Sequence, residues 1–453
     1  MIPVSLLQLA AVLDGQLIGD DCVINDVSTD TRKVTTGSLF VALIGERFDA
    51  HDFAQQAVDN GASALLVSKP LALNIPQIQV DNTQQALGKM GAWVHQQCDT
   101  PTVAITGSCG KTTVKEMTAS ILMQKGQVLF TAGNFNNEIG VPLTLLRSTP
   151  QDDYAVIELG ANHQHEIAYT TQLVQPDVAL VNNVAAAHLE GFGSLDGVKK
   201  AKGEIFQGLA ENATAVINLD SHGEQHWQAI LADKNLITFS KSNHQADYFA
   251  TDIELNKQGQ PSFTLHTPVG HAEIQLTIIG AHNVANALAA AILATQLGAS
   301  LSDIVTGLTH LMKVKGRVDV ESLTEGVTLI DDSYNASVPA VKAAVDLLAS
   351  FAGQRWLILG NMAELGDESL ALHRQVGEYA APFAFEHVLT YGKDTKVISE
   401  VCGGQHFETH SAMITYIKQH LAQDENQTHT LLVKGANSAG MSQVAVALQE
   451  NFS

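Results

Sequence analysis

Basic residues are scarce in this chain: 25 Lys and Arg stand against 47 Asp and Glu, a net charge of −22 at pH 7. That balance argues against a nucleic-acid binder, whose footprint is a basic domain or face. It also repels anionic ligands at long range. A phosphate site must therefore be built locally, from backbone dipoles and a few cations. Cysteine is scarce too. Cys22, Cys98, Cys109 and Cys402 show neither metal-ligand spacing nor a disulfide framework, which fits a reducing cytosol. No apolar run reaches membrane-span length. Residues 274–302 contain no Asp, Glu, Lys or Arg, but their dense part, 287–294, is far short of the ~20 residues a span needs. They read as a buried Ala-rich helix. Residues 1–17 lack a basic flank and contain Asp14, so no signal peptide is expected. Internal repeats and low-complexity segments are absent.

What is present is a globular α/β pattern, with 453 residues, 45% hydrophobic and 16% charged. The length predicts two or three domains. The most informative stretch surrounds Thr106-Gly-Ser-Cys-Gly-Lys-Thr112. An apolar strand at 103–105 enters a glycine turn. A helix follows, with Val114, Met117, Ile121 and Leu122 on one face. Strand, glycine turn and helix N-terminus together make an anion site, with Lys111 as a point charge and the Thr112 hydroxyl as a Mg²⁺ ligand. The strict Walker A spacing is not met, because Ile105 stands where its first glycine belongs. Cys109 reads as a small side chain filling the turn.

Before this stretch, short strands and helices alternate: a polar turn at 28–32, a strand at 38–44, a helix at 52–60, a strand at 64–67 and a helix at 83–97. Cys98-Asp-Thr-Pro101 is the boundary. Beyond it, strands are expected at 155–158, 178–181, 215–218 and 236–239, with an antiparallel insertion at 247–273. After Lys313-Val-Lys-Gly-Arg317 the pattern restarts, with strands at 327–331, 356–359, 388–391 and 431–434. Three α/β domains are predicted, 1–98, 99–313 and 314–453, the central one a doubly wound sheet. Ligands of such sheets sit at the carboxyl ends of strands.

Several residues fall there. Glu158 ends a strand, as a Mg²⁺ ligand or a residue orienting a nucleophile would. His188 follows a run of alanines and suits a ligand or an acid, while Lys202 reads locally as part of a solvated basic face. The polar loop bearing Asn134, Asn136 and Asn137 suits an amide ligand or ordinary Asx-turns. Asn283 fits either an adenine contact or a helix cap. Arg317 stands at the domain junction, placed to clamp a phosphate. Asp332, in Asp331-Asp-Ser-Tyr334-Asn335, suits a ribose contact. Taken alone, the phosphate turn admits a kinase, a switch-type NTPase, a ligase or a nucleotide-binding module.

Taken together, Thr106–Thr112, Glu158, His188, Lys202, His282-Asn283-Val-Ala-Asn286, Arg317 and Asp332–Asn335 resemble, in order and spacing, the Mur ligases, ATP-dependent amide ligases of peptidoglycan synthesis. Asn134-Phe-Asn-Asn-Glu-Ile-Gly140, Glu158-Leu-Gly-Ala-Asn-His163, 182–194 and Met362-Ala-Glu-Leu-Gly366 resemble the branch that adds D-alanyl-D-alanine to UDP-MurNAc-tripeptide. The Asn-Pro-Arg signature of the branch adding the third peptide residue is missing.

The resemblance implies an N-terminal UDP-substrate domain, a central ATP domain and a C-terminal Rossmann-like domain that closes on ATP and takes the dipeptide. It implies ATP contacts from Gly107, Ser108, Cys109, Gly110, Lys111, Thr112, Thr113, Asn283, Arg317, Asp332 and Tyr334. Substrate contacts would come from Ser28, Thr29, Arg32, Arg47, Asn134, Asn136, Asn137, Asn335 and Lys434. Two Mg²⁺ would be held by Thr112, Glu158, His188 and Lys202, the lysine as a carbamate. Lys111, Glu158, His188, Lys202 and Arg317 would carry catalysis. A cytoplasmic monomer, without nucleic-acid or membrane partners, is expected. The sequence departs from the family pattern at Cys109 (serine in many relatives), His165 (often glycine), Asn361 (usually Asp) and Ala436-Asn437, where Ser-Arg is expected.

Overall fold

A computed structural model describes residues 1–451, apart from 187, 222, 312–315, 317, 425 and 426. The expected phosphate clamp Arg317 and most of the 313–317 junction therefore lie outside the described residues.

Three main sheets follow one another along the chain. The first contains β1 (Gln16–Ile18), β2 (Asp26–Ser28), β3 (Ser38–Val41), β4 (Ala64–Val67) and β5 (Gln77–Gln79), in the order β1-β5-β4-β3-β2. Only the β1–β5 pair is antiparallel. A small ladder, Val4–Ser5 with Val23–Ile24, lies beside it. The strand expected to reach residue 44 stops at Val41, because the chain turns back there: Ala50 N–H donates to the Leu43 carbonyl and Gly45 N–H to that of Phe48. The helix α1 (Thr83–Gln96) closes the unit, capped by Asn82, whose side chain accepts from Gln84 and Gln85 N–H.

The second sheet has nine strands. In chain order they are β6 (Thr102–Thr106), β7 (Val128–Phe130), β8 (Tyr154–Glu158), β9 (Val178–Val181), β10 (Thr214–Asn218), β11 (Asn235–Ser240), β12 (Tyr248–Leu255), β13 (Pro261–Thr267) and β14 (Gly270–Gln275). The spatial order is β14-β13-β12-β11-β10-β9-β6-β8-β7. The segment 247–273 is thus the far edge of the main sheet rather than an insertion. β12 pairs in parallel with β11 through Phe239↔Tyr248, and then the chain folds back twice in antiparallel. Tyr248, Ala250, Phe263, Leu265 and Ile274 supply the reason, since they bury one face of this edge in the common core.

Four helices matter to the site: α2 (Lys111–Leu122), α3 (Glu166–Val174), α4 (Leu195–Gly203) and α5 (Asn283–Gln296). Alanines 287, 289, 290, 291 and 294 of α5 are buried, and their small side chains let α5 pack along α2. The buried Ala-rich helix is borne out. No helix of the described residues is long and apolar enough to cross a membrane.

The third sheet holds β15 (Asp319–Thr324), β16 (Val327–Asp332), β17 (Gln354–Gly360), β18 (His387–Tyr391), β19 (Gln405–Phe407) and β20 (His429–Lys434), in the order β15-β16-β20-β17-β18-β19. β15 alone runs antiparallel to its neighbour. Helix α6 (Val338–Ala349), with Pro339 in its first turn, follows β16.

Candidate active site

β6 lies between β8 and β9, so the turn that follows it is flanked by the carboxyl ends of both neighbours. From β9, Asn182 and Asn183 clamp the turn. Cys109 N–H donates to Asn183 Oδ1 at 2.8 Å, and both asparagine side chains donate to the Cys109 carbonyl at 3.0 Å. Ser108 N–H donates to the Asn183 carbonyl, and the Ser108 hydroxyl to that of Ala185. Gly110 is left-handed, φ +76°. A Cβ there would stand 2.6 Å from Asn286 Oδ1 and 2.7 Å from Asn182 Nδ2, so only glycine fits. Helix α2 begins immediately afterwards and points its free N–H groups and dipole at the same space. Lys111 Nζ reaches back to the Gly107 carbonyl at 2.8 Å.

From β8 comes Glu158, 1% exposed. Its Oε2 accepts from the Thr112 hydroxyl and its Oε1 from Asn136 Nδ2, both at 2.8 Å. A hydroxyl and a carboxylate oxygen side by side suit a hard cation such as Mg²⁺. Among the described residues, no cluster of three or more His, Cys, Asp or Glu is spaced to hold a metal. Of the asparagine loop, Asn136 reaches Glu158, Asn137 caps the Gly140 N–H and Asn134 is exposed.

Lys202, on α4, is fully buried, so the basic-face reading fails. Its ammonium lies over the Phe192 ring, 5.3 Å from the centroid. Burial, followed by the nearby positive charge of Lys111, lowers its pKa to about 7. His188 hydrogen-bonds the Glu364 carboxylate, from the loop after β17, and Glu190 N–H donates to the Glu364 carbonyl. The first contact holds the Glu364 carboxyl below its ordinary range.

On the opposite wall, Lys434, 3% exposed, donates to Asp332 Oδ2 at 2.6 Å and to the Asn335 carbonyl at 2.9 Å. The Ser337 hydroxyl meets Cys109 Sγ at 3.1 Å, linking the N-terminus of α6 to the phosphate turn. Asn283 is buried at 2%, with Nδ2 on the Ile279 carbonyl and Oδ1 accepting from Asn286. Its amide is spent inside the helix start, and His282 and Asn286 form the cavity wall instead. Burial and the charges of Lys434 and Lys241 lower the His282 pKa to about 4, so its ring is neutral at pH 7.

These walls enclose one cavity of about 1000 Å³ between the second and third sheets. It is lined by Ser108 to Thr113 on one side and by Asp332, Tyr334, Asn335 and Lys434 on the other. His188 lines it too, whereas Lys202, Glu158 and Gly107 stand behind the lining. Ser28, Thr29, Arg32 and Arg47 lie on the first sheet and its loops, outside this cavity. Ser28 is buried with its hydroxyl on the Asp30 carbonyl, and Arg32 forks onto Asp30, whose carboxyl it holds down at about 2. Asn182 and Asn183 stand at the end of β9, where strand-end polar residues are expected to gather around Lys111, and they do so. His282 and Glu364 lie inside the motifs 282–286 and 362–366, but no role was expected of either; the structure brings both to the cavity.

Three segments match family descriptions: residues 23–95 "Mur ligase family, catalytic domain", 105–294 "Mur ligase middle domain" and 316–437 "Mur ligase, glutamate ligase domain". The chain is 54% identical over 452 residues to the UDP-N-acetylmuramoyl-tripeptide–D-alanyl-D-alanine ligase of Escherichia coli K12, covering 100% of this chain and 99% of that one. It is 46% identical to the protein so named in Haemophilus influenzae, over the whole of both. Among solved structures, MurF from Acinetobacter baumannii superposes with a TM-score of 0.95 at 35% identity, covering 99% of each chain. MurF ligase from Thermotoga maritima in complex with ADP gives 0.83 at 26%, covering 94% of this chain and 97% of that one.

Proposed function

The chain belongs to the Mur ligase family, and on that premise we propose that it is an ATP-dependent amide ligase that joins D-alanyl-D-alanine to the terminal carboxylate of UDP-MurNAc-tripeptide. The observation that carries this reading is a cavity whose phosphate turn comes from one sheet and whose Asp332–Lys434 pair comes from another. A site split in this way assembles when two domains meet, which suits a reaction that must keep water from an activated intermediate.

A carboxylate is a poor acyl donor because oxide would have to leave. Transfer of the γ-phosphoryl group to it yields ADP and an acyl phosphate. The dipeptide amine then adds to the acyl carbon, and the tetrahedral intermediate expels phosphate. The protein's part is positioning and charge neutralisation. The amides that open α2, from Gly110 on, the α2 dipole and Lys111 hold the phosphates. Thr112 and Glu158 are the residues that would hold Mg²⁺, which supplies positive charge against phosphate oxygens. His282 offers a neutral ring beside the nucleotide, and Asp332, oriented by Lys434, faces its ribose. By family resemblance Arg317 adds a phosphate contact, residues 1–98 hold the UDP moiety through Ser28, Thr29, Arg32 and Arg47, and 314–453 take the dipeptide. The substrates and ATP place the reaction in the cytoplasm.

Lys202 belongs to this proposal as a carbamate. An ammonium among cations fits the site poorly, and a pKa near 7 leaves a large neutral fraction. The neutral amine adds to CO₂ and loses a proton, giving two oxygen donors where the cation stood. ¹³C-bicarbonate should then give a carbamate resonance that Lys202→Ala lacks. Lys202→Ala should be inactive and partly rescued by short carboxylates. A fully active Lys202→Ala protein overturns the assignment.

Coupled ADP release with UDP-MurNAc-tripeptide, with and without D-alanyl-D-alanine, tests the function. The expected result is release that depends on the dipeptide, with an amide product by mass spectrometry. Release that depends on diaminopimelate or lysine instead would assign the chain to the preceding step.

A further inference from the structure

One buried cation near the site takes no part in the mechanism above. Lys115, one turn into α2, is 1% exposed. Its Nζ donates to the Thr131 carbonyl at 2.7 Å and pairs with the Glu116 carboxylate at 2.8 Å. The Phe130 ring covers it, 5.7 Å from the centroid.

The Thr131 carbonyl is an unusual place for a lysine to end. β7 and β8 run parallel, with Phe130 opposite Val156. In that register Thr131 N–H donates to the Val156 carbonyl, as it does at 3.1 Å. The next bond of a parallel ladder runs from Glu158 N–H to the Thr131 carbonyl. Here it is replaced. Glu158 N–H donates to the Thr131 hydroxyl at 2.9 Å, and the carbonyl turns to Lys115. Two consequences follow at once. The chain after Thr131 leaves the sheet, and its loop folds over Glu158, where Asn136 Nδ2 meets Oε1 and Gly160 N–H meets the Asn136 carbonyl. Glu158 itself stays anchored at the strand end, by a side-chain oxygen in place of a ladder bond.

We propose that Lys115 is a positioning residue for Glu158 and for the asparagine loop. By drawing the Thr131 carbonyl out of the ladder, it frees the Thr131 hydroxyl to fix the Glu158 backbone and releases the loop to cap the Glu158 carboxylate. Helix α2 thereby contributes twice to one site: Thr112 touches the Glu158 carboxylate directly, and Lys115 sets its place through Thr131. Only the cation-binding consequence rests on the ligase reading. The backbone arrangement does not.

The test compares wild type, Lys115→Met, Lys115→Arg, Thr131→Val, Thr131→Ser and the Lys115→Met/Thr131→Val pair. Two quantities are read: amide hydrogen exchange in peptides covering 131–140 and 156–160, and Mn²⁺ affinity by electron paramagnetic resonance with ADP present. Lys115→Met should speed exchange in both peptides and weaken Mn²⁺ about tenfold, the usual scale for residues that orient a metal ligand. Thr131→Val should do the same, and the pair should be no worse than either alone. Lys115→Arg and Thr131→Ser should recover most of the loss. A Lys115→Met protein that melts earlier but keeps wild-type exchange at 156–160 and wild-type Mn²⁺ affinity overturns the proposal and leaves a plain buried ion pair. Should Lys115→Met not fold, Thr131→Val against Thr131→Ser decides on the same two readouts. Wild type without ligase activity would sink the function and not this arrangement, which the exchange data report independently.

Discussion

Gly110 and His165 share a left-handed backbone with opposite consequences. Gly110 has no room for a side chain between Asn182 and Asn286. Gly110→Ala should lose ADP binding in a calorimetric titration and lower stability by about 1–3 kcal/mol, through strain and overpacking together. His165, at φ +72°, stands in a backbone conformation that favours glycine, and its side chain is 80% exposed. Its N–H is held by both oxygens of the buried Glu204, at 2.8 and 3.0 Å, which keeps this corner in place whatever the side chain. His165→Gly relieves about 1–2 kcal/mol of left-handed strain and gives back roughly 0.5–1 kcal/mol in chain entropy. A net stabilisation between zero and about 1.5 kcal/mol is expected, read as a raised urea midpoint, with activity retained.

Strands β17 and β18 are joined at their starts by a fork that no site residue needs. Arg355 Nη2 and Nε meet the two Glu386 oxygens at 2.8 and 3.0 Å, and Arg355 N–H adds a third contact at 2.9 Å. These bonds hold the Glu386 pKa down at about 2. A carboxylate depressed in the folded state stabilises above its unfolded pKa, and that contribution is lost as pH falls toward the folded one. The window here runs from about 4.5 down to about 2. Glu386→Gln should therefore be about 1–2 kcal/mol less stable than wild type at pH 7, discounted for partial exposure. The gap should close as pH approaches 2, followed by chemical denaturation across that range.

For the whole molecule, the proposed function puts the nucleotide in the cavity and the UDP moiety on the first sheet, so the two should bind independently. Mg²⁺-ADP at a hundred times its dissociation constant should stabilise wild type by about 2.7 kcal/mol. Lys111→Ala should remove that shift while the shift produced by UDP-MurNAc-tripeptide survives, both read by thermal unfolding. Loss of both shifts in a folded Lys111→Ala protein would contradict placing the UDP moiety on residues 1–98.

The sequence by itself determined the local chemistry. The glycine turn, the strand before it and the helix after it are contiguous, so periodicity and turn residues sufficed to find Gly107 to Thr112, and strand-end position sufficed for Glu158 and Asp332. The Ala-rich run at 287–294 told its own burial, because small side chains without charge have only a packed environment to go to. Lys202 was misread locally for the opposite reason. Its neighbours Lys199 and Lys200 look like a solvated face, and only the packing of α4 against α3 and Phe192 makes 202 a buried amine. Asn283 matched an adenine contact or a helix cap, and packing spends its amide on the Ile279 carbonyl and the Asn286 side chain, leaving His282 and Asn286 to form the cavity wall. The Glu364 contact with His188 joins residues 176 apart along the chain, and the joining of β12 to the main sheet and the Thr131 carbonyl turned toward Lys115 depend on how elements pack rather than on local sequence. No sequence period encodes such pairings, because they depend on which face each element buries once the sheets have formed.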